Sequence, residues 1–367
     1  LIMTCKICKS DEYIDILKQP DTPIWVGSSG KSRESFPCNI RQCMTCGHIY
    51  EVLTDRLSEE LRNIYQSQFA YASTPPNKGN WGSARAKFFL GRLDYKNYDS
   101  AIEIGCADGY FLKFLEGVGY KKLIGVEPSI KCNEKIGNIE FIKTFIDEKT
   151  SLHQSVDLIF SNAVFEHIEE INGVLQFSKK HLKADGELFF AVPNAQREVE
   201  TGDPALFIHE HVHYYTVESI ENVLAINGFV IKSIVQECDA IYVSAILDGN
   251  VVTPLKTIKL YNNYTNLLNA RIDKFHQAIN SNKNIVIHGA NNKLNNLLAW
   301  SKLNFEYTLV DNDKTKLGKS FFDHKVHSIK DLNMLDYDGV VVIPTCFYDE
   351  ICKQYVDLGF LGNIYKI

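Results

Sequence analysis

The sequence predicts an α/β protein: a doubly wound, mostly parallel sheet at the centre, a cysteine-rich module before it and a second nucleotide-type α/β domain after it. Three observations carry that expectation. The stretch Ala101-Ile102-Glu103-Ile104-Gly105-Cys106-Ala107-Asp108-Gly109-Tyr110-Phe111 reads as a strand, a glycine-bearing turn and a helix start. From Asp99 to about Gly249 short apolar strands alternate with helical stretches, as a parallel sheet flanked by helices requires. A second strand-glycine-helix pattern opens at Asn284-Ile285-Val286-Ile287-His288-Gly289.

Composition sets the bounds. At ~100–200 residues per domain, 367 residues predict two or three domains. With 39 basic and 45 acidic residues the formal charge is -6, so no global attraction to nucleic acid or to an anionic membrane is expected. No apolar run approaches the ~20 residues that span a bilayer, and the N-terminal residues lack a signal-peptide layout. A cytoplasmic protein, monomeric or homodimeric, is expected.

The first 46 residues hold half of the ten cysteines, a clustering that favours metal binding over disulfides. Cys5-x-x-Cys8 and Cys43-x-x-Cys46 each form a knuckle, and together the four thiolates complete a closed, structural zinc site. Cys38 is a spare thiol that could replace one ligand, and His48 is a weaker candidate. Residues 1–52 are therefore read as a zinc-binding module. Residues 53–98 combine polar helical segments with the turn-rich Ala72-Ser73-Thr74-Pro75-Pro76 and form a linker and candidate lid. Tyr71, beside that loop, is either a hydrophobic anchor or a site residue.

Residues 99–249 hold the main sheet, with strands expected near 101–105, 122–127, 139–143, 156–161, 186–192, 229–235 and 240–247. In the first turn Gly105 lets the chain reverse tightly, Ala107 and Gly109 limit bulk, and the following helix offers N–H groups to a ligand. The third glycine of the dinucleotide fingerprint is replaced by Tyr110, which disfavours NAD. A carboxylate at Glu103 would repel a pyrophosphate but pair with the ammonium of S-adenosylmethionine. Here the sequence resembles the class I methyltransferases. Glu127, ending the second strand, stands where doubly wound folds place a ribose-binding acid. Solvated strand ends would be the alternative for both acids, but that leaves the glycines between them without a purpose.

Ligands of such sheets lie beyond the carboxyl ends of the strands. Asn162 and Ala163 fall there, near the donor's methionine part, followed by Phe165-Glu166-His167. Phe145 and Asp147 follow the third strand, where an adenine would be gripped or where an exposed polar loop would run. Beyond the fifth strand comes Phe207-Ile208-His209-Glu210-His211-Val212-His213-Tyr214-Tyr215. Its histidines could bind metal, could be plain loop residues, or Glu210 could orient His211 for proton transfer. The last two strands are separated by too few residues for a crossover and should form an antiparallel hairpin at the sheet edge.

Residues 250–283 are read as a connecting helix, with helical spacing from Leu255 to Ile279. Residues 284–367 are read as a Rossmann-like domain. The order of parts resembles the three-domain deoxysugar C-methyltransferases, which act on nucleotide-linked 4-keto sugars. Gly289-Ala290-x-x-Lys293-x-Asn295, Val310-Asp311 with Lys316-x-Gly318, and Phe347-x-Asp349-Glu350 carry the C-terminal part of that likeness. The resemblance implies S-adenosylmethionine as cofactor and a nucleotide sugar between the middle and C-terminal domains. Lys293 would lie near the diphosphate, with Asn291 and Asn295 also binding substrate. It further implies catalytic roles at Tyr71, His167, Glu210 and His211: His211 as the base, Glu210 orienting it, His167 and Tyr71 holding the enolate oxygen.

One position departs from the family pattern. Ile208 stands where a tyrosine commonly precedes the Glu-His pair by two residues, and isoleucine has no proton to donate. Tyr214 or Tyr215 would then substitute, or the enolate would be stabilised otherwise. The alternatives are methylation of a sugar hydroxyl, which needs only a positioned base, and a non-catalytic scaffold that binds the donor or sugar nucleotide.

Overall fold

The structure is a computed structural model that describes residues 4–24, 34–67, 79–93, 98–129, 134–237, 239–247, 254–321 and 323–367. The chain forms two compact units. The first comprises Leu1–Ile14, Arg41–Gln196 and Glu210–Leu260; the second comprises Asp15–Ile40, Arg197–His209 and Tyr261–Ile367. The cysteine-rich N-terminal stretch is thus divided between them. Strands β1 (Tyr13–Pro23) and β2 (Ser35–Cys43) are followed by β3 (Ile49–Glu51) and helices α1 (Asp55–Gln66) and α2 (Gly79–Arg92). Thr54 caps α1 by accepting from the Leu57 N–H, and Leu57 and Leu61 form its buried face.

The main sheet of the first unit is built from β4 (Ser100–Ile104), α3 (Tyr110–Gly117), β5 (Lys122–Val126), β6 (Glu134–Ile136), β7 (Ile139–Ile142), β8 (Val156–Asn162), α4 (Ile171–His181) and β9 (Leu182–Pro193). Next come α5 (Gln196–Thr201), β10 (His213–Tyr214), α6 (Val217–Ile226), β11 (Phe229–Glu237) and β12 (Ala240–Leu247). The sheet order is β11-β12-β9-β8-β4-β5-β7-β6. β4, β5, β7, β8 and β9 run parallel, while β12 is antiparallel to both β9 and β11. The reversed strand therefore lies one place in from the edge, because β11 folds outside it as the hairpin partner. A strand absent from the sequence reading, β6, pairs antiparallel with β7 at the other edge. The order changes direction around β4, which puts the β4–α3 turn at the topological switch point.

Tyr264 begins the helix α7 (Tyr264–Asn280), nine residues later than its apolar spacing predicts. Two of the preceding residues are tied by side chains from elsewhere: Asn222 accepts from the Lys256 N–H at 2.6 Å, and Gln42 donates to the Lys259 carbonyl at 2.8 Å. Their backbone groups are satisfied from outside, so helix formation gains nothing there. The second unit continues with β13 (Ile285–His288), α8 (Asn292–Ser301), β14 (Thr308–Val310), β15 (Ser320–Phe321), β16 (His324–His327), β17 (Gly339–Val342), α9 (Tyr348–Asp357) and β18 (Asn363–Lys366). The sheet order is β15-β16-β14-β13-β17-β18, parallel except at β15. No helix among the described residues is long and apolar enough to cross a membrane.

Candidate active site

The β4–α3 turn carries the first part of the site. Gly105 and Gly109 adopt φ of 74° and 72°, and Ala107 shares the left-handed region at 47°. The two glycines are demanded by packing as well as by conformation: a Cβ would approach Val164 Cγ2 to 2.4 Å at Gly105 and Phe141 Cζ to 2.7 Å at Gly109. Ala163, just past β8, is also left-handed at 55°, so two strained alanines flank the carboxyl ends of β4 and β8. Such strain concentrates at ligand sites.

Glu103 is buried on β4, and its Oε2 has no hydrogen-bond partner. Burial, aided by the Asp108 and Glu127 carboxylates, raises its pKa well above the usual carboxylate range. An ammonium group docking there would supply the missing donor and restore the charged form. Glu127 follows β5 and accepts from the Ala107 N–H at 3.2 Å and from the Ser129 hydroxyl at 2.8 Å, which fixes its carboxylate beside the turn. Asn162 ends β8 half-buried, and the Ala163 N–H donates to the Ala191 carbonyl at 2.8 Å. Phe145 is exposed, with the Arg62 guanidinium 5.9 Å from its ring, and Asp147 closes its own turn through Thr150. These residues fit the donor expected from the sequence: an acid for an ammonium, an acid for a ribose and an aromatic face for a base.

The second part gathers around His167 and His211, whose rings lie 4.8 Å apart, edge to face. His167 Nδ1 is 2.6 Å from the Glu210 carbonyl oxygen, and Tyr65 donates its hydroxyl to that same oxygen at 2.8 Å. Tyr65 also lies 2.9 Å from His167 Nδ1. The other face of the ring meets Glu166, with Nε2 to Oε1 at 3.7 Å. Glu166 is buried, its Oε2 has no hydrogen-bond partner, and burial raises its pKa. His211 is half-buried; desolvation, helped by the positive charge of Arg85 and by His167, lowers its pKa well below the usual imidazole value. It is therefore neutral at physiological pH and able to accept a proton.

The histidine-rich loop does not act as one cluster. His209 contacts the Thr22 carbonyl at 2.9 Å within the second unit, whereas His213 pairs with buried His48 at 2.8 Å within the first. His48 is thereby committed to a histidine pair and does not join the thiols. Tyr214 is buried in the β3–β10 pair opposite Ile49, its ring 6.3 Å from that of His211. Tyr215 donates to the Phe165 carbonyl at 3.3 Å. Glu210 is buried next to the His167 contact, holding that ring through its backbone. Tyr71 lies outside the described residues. Sequence reasoning missed Tyr65, Glu166 and Arg85. The adjacency of Glu166 to His167 was a usable signal, but nothing local marks Tyr65.

Cys5, Cys8, Cys43 and Cys46 bring their sulfurs within 4.8 Å of one another, with Cys5–Cys46 at 3.7 Å and Cys8–Cys43 at 3.4 Å. Four thiolates ~2.3 Å from a tetrahedral zinc ion would lie ~3.8 Å apart, so the spacing fits. Both knuckles turn alike: the Ile7 and Thr45 N–H groups donate to the Cys5 and Cys43 sulfurs, and Lys9 and Gly47 adopt φ of 63° and 75°. Asn172 on α4 donates to the Ile7 carbonyl, and Asn222 on α6 donates to the Cys46 carbonyl. The cysteine cluster is thus fastened to the helices of the main sheet.

In the second unit, the three expected substrate residues are occupied structurally. Lys293 is buried against Asp203 at 3.2 Å and the Ile367 carbonyl at 2.8 Å. Asn291 caps α8 by accepting from the Leu294 N–H, and Asn295 is buried, donating to the Pro23 carbonyl at 3.2 Å. The family pattern at these positions also serves the fold within the second unit.

Comparison with known proteins agrees with the main sheet. Residues 56–234 match the family described as a methyltransferase domain, and residues 281–364 match one described as C2185-like, N-terminal. The chain is 21% identical over 229 residues to the C-methyltransferase NovU of Streptomyces niveus, covering 59% of this chain and 53% of that one. It is 29% identical over 169 residues to a malonyl-[acyl-carrier protein] O-methyltransferase of Coxiella burnetii, covering 44% and 58%. The chain spans about half the length of these curated relatives. Among solved structures, N-methyltransferase NodS of Bradyrhizobium japonicum, in complex with S-adenosyl-L-homocysteine, is 18% identical, covering 52% of this chain and 98% of that one at a TM-score of 0.39. The match over residues 56–234 marks a methyltransferase domain, and with it an enzyme, in the middle of the chain.

Proposed function

We propose that the protein methylates a nucleotide-linked sugar at the carbon beside a 4-keto group. The observation that carries this reading is neutral His211 beside His167, in the unit that also holds the Glu103–Glu127 donor turn. S-adenosylmethionine supplies an electrophilic methyl group. Glu103 would hold the ammonium of the donor and Glu127 its ribose, with Asn162 and Ala163 along the methionine part. His211 removes the proton next to the ketone, so the C–H electron pair becomes the enolate. His167, anchored through the Glu210 carbonyl, would hold the enolate oxygen. The enolate carbon then takes the methyl as its bond to sulfur breaks. The likeness to a C-methyltransferase supports this chemistry.

The four cysteines would hold one structural zinc ion, with no ligand position left for water. Ile208 supports a second reading, methylation of a sugar oxygen, because it lacks the proton that the family tyrosine would lend to an enolate. Carbon NMR of the product formed from methyl-labelled S-adenosylmethionine separates the two. With a panel of keto and non-keto nucleotide sugars, a carbon-bound methyl on keto sugars alone is expected. An oxygen-bound methyl on non-keto sugars would replace the first reading by the second.

A further inference from the structure

We propose that Glu166, His167 and His211 form a second metal site, apart from the cysteine cluster, which takes a divalent transition-metal ion and keeps His211 from acting as a base while the ion is bound. Each of the three residues offers one ligand atom, and these atoms lie within 4.8 Å of one another, the same spread as the four sulfurs. Two imidazoles and a carboxylate suit first-row divalent ions such as zinc, cobalt and iron(II), with coordination positions left open.

Backbone contacts hold the three together. The 3₁₀ turn Phe165–His167 follows β8, and the Val212 N–H donates to the Glu166 carbonyl at 2.8 Å, which brings His211 against that turn. Nδ1 of His167 is committed to the Glu210 carbonyl, so Nε2 presents a lone pair. It faces Glu166 Oε1 at 3.7 Å, an acceptor against an acceptor. Zinc bonds of ~2.0–2.2 Å to nitrogen and oxygen put tetrahedral ligand atoms ~3.4 Å apart, so a slight approach closes the pair on one ion. A proton on Nε2 would answer Oε1 alone. Only 2% of the Glu166 side chain is exposed, and its Oε2 has no hydrogen-bond partner. Burial in that state is costly, and a metal ion removes the cost. The carbonyl contact to Nδ1 is also the kind of outer contact that orients metal-bound imidazoles, and Tyr65 donates to the same oxygen. His167, with 26% of its side chain exposed, and half-buried His211 give an ion a way in from solvent. The charge of Arg85 reaches Glu166 and His211 and opposes the ion, so the three direct bonds must carry the affinity.

The site stands on this geometry, and only the block on proton transfer rests on the reading of His211 as base. A neutral imidazole has one nitrogen lone pair to give, so an ion on His211 takes the place that the proton needs. Titration of the zinc-loaded full chain with cobalt(II), followed by calorimetry and visible absorption, tests the site. One cobalt ion per chain is expected to bind without a thiolate charge-transfer band, which separates it from cobalt entering the cysteine cluster. Glu166→Gln and His211→Asn should each weaken that binding by at least about tenfold, with S-adenosylmethionine affinity within about twofold as the check on folding. Cobalt that binds the folded variants as tightly, or only with the thiolate band, would overturn the site and leave the base reading of His211 standing. With the sugar that the labelled-donor panel identifies, turnover should fall in step with cobalt occupancy and return when the ion is dialysed away. Turnover unchanged or raised at full occupancy would overturn the block, and with it the base role, while the metal site stands.

Discussion

The imidazole of His167 lies with Nδ1 2.6 Å from the carbonyl oxygen of Glu210. A carbonyl only accepts, so the proton sits on Nδ1 and Nε2 is left to face Glu166 and the space shared with His211. The backbone of one site residue thereby sets the tautomer of another.

His211→Ala removes the proposed base. Turnover should fall by ~10²–10⁴-fold, the usual worth of a general base, while S-adenosylmethionine affinity stays within about twofold. Methyl transfer from labelled donor together with calorimetric donor binding checks this, and unchanged turnover would take His211 out of the base role.

Tyr65→Phe deletes the hydroxyl that bridges the Glu210 carbonyl and His167. Tyr65 acts by positioning His167, so kcat should drop by about tenfold with KM little changed, and stability should fall by ~1 kcal/mol, the worth of one hydrogen bond. A merely structural tyrosine would lower stability and leave kcat per folded molecule alone.

Glu127→Ala should weaken donor binding by ~1.5–3 kcal/mol through loss of hydrogen bonds to a charged acceptor. The Ser129 and Ala107 contacts of Glu127 also disappear, so a melting curve must accompany the titration. Undiminished affinity in a folded variant would exclude Glu127 from the ribose.

Cys43→Ser opens the thiol cluster. Metal analysis should show about one zinc per native chain and a much lower content in the variant, with a lower Tm, because a structural metal contributes its binding energy to folding. A native chain isolated without zinc, with a Tm indifferent to chelators, would refute the site.

Stability should decline on the acid side. Burial holds His213 and His288 at about 4 and His48 and His211 well below the ordinary value. The unfolded chain binds protons at its histidines below ~6.5, before the folded chain does, so stability is full above that pH. It is lost as pH falls toward 4, by roughly 3 kcal/mol for each of the two histidines held near 4. Melting curves between pH 8 and pH 4.5 should show a plateau and then a fall; a Tm that rises on acidification would contradict the buried, neutral histidines.

The sequence by itself determined the alternating strands and helices of the main sheet, the Glu103–Gly109 turn with Glu127 one strand later, and the two cysteine pairs. Each is a pattern carried by near neighbours: apolar period, glycine at a left-handed turn, ligand spacing. Only the tertiary structure decided which members of the histidine-rich loop share a site. Tyr65 meets His167 across 102 residues and the Glu210 carbonyl across 145. It likewise withdrew Lys293 into a buried pair with Asp203, 90 residues away, and set His211 beside Glu166 and His167. Local propensity is blind to such pairings, because burial and charge balance are fixed by whatever segment the fold brings alongside.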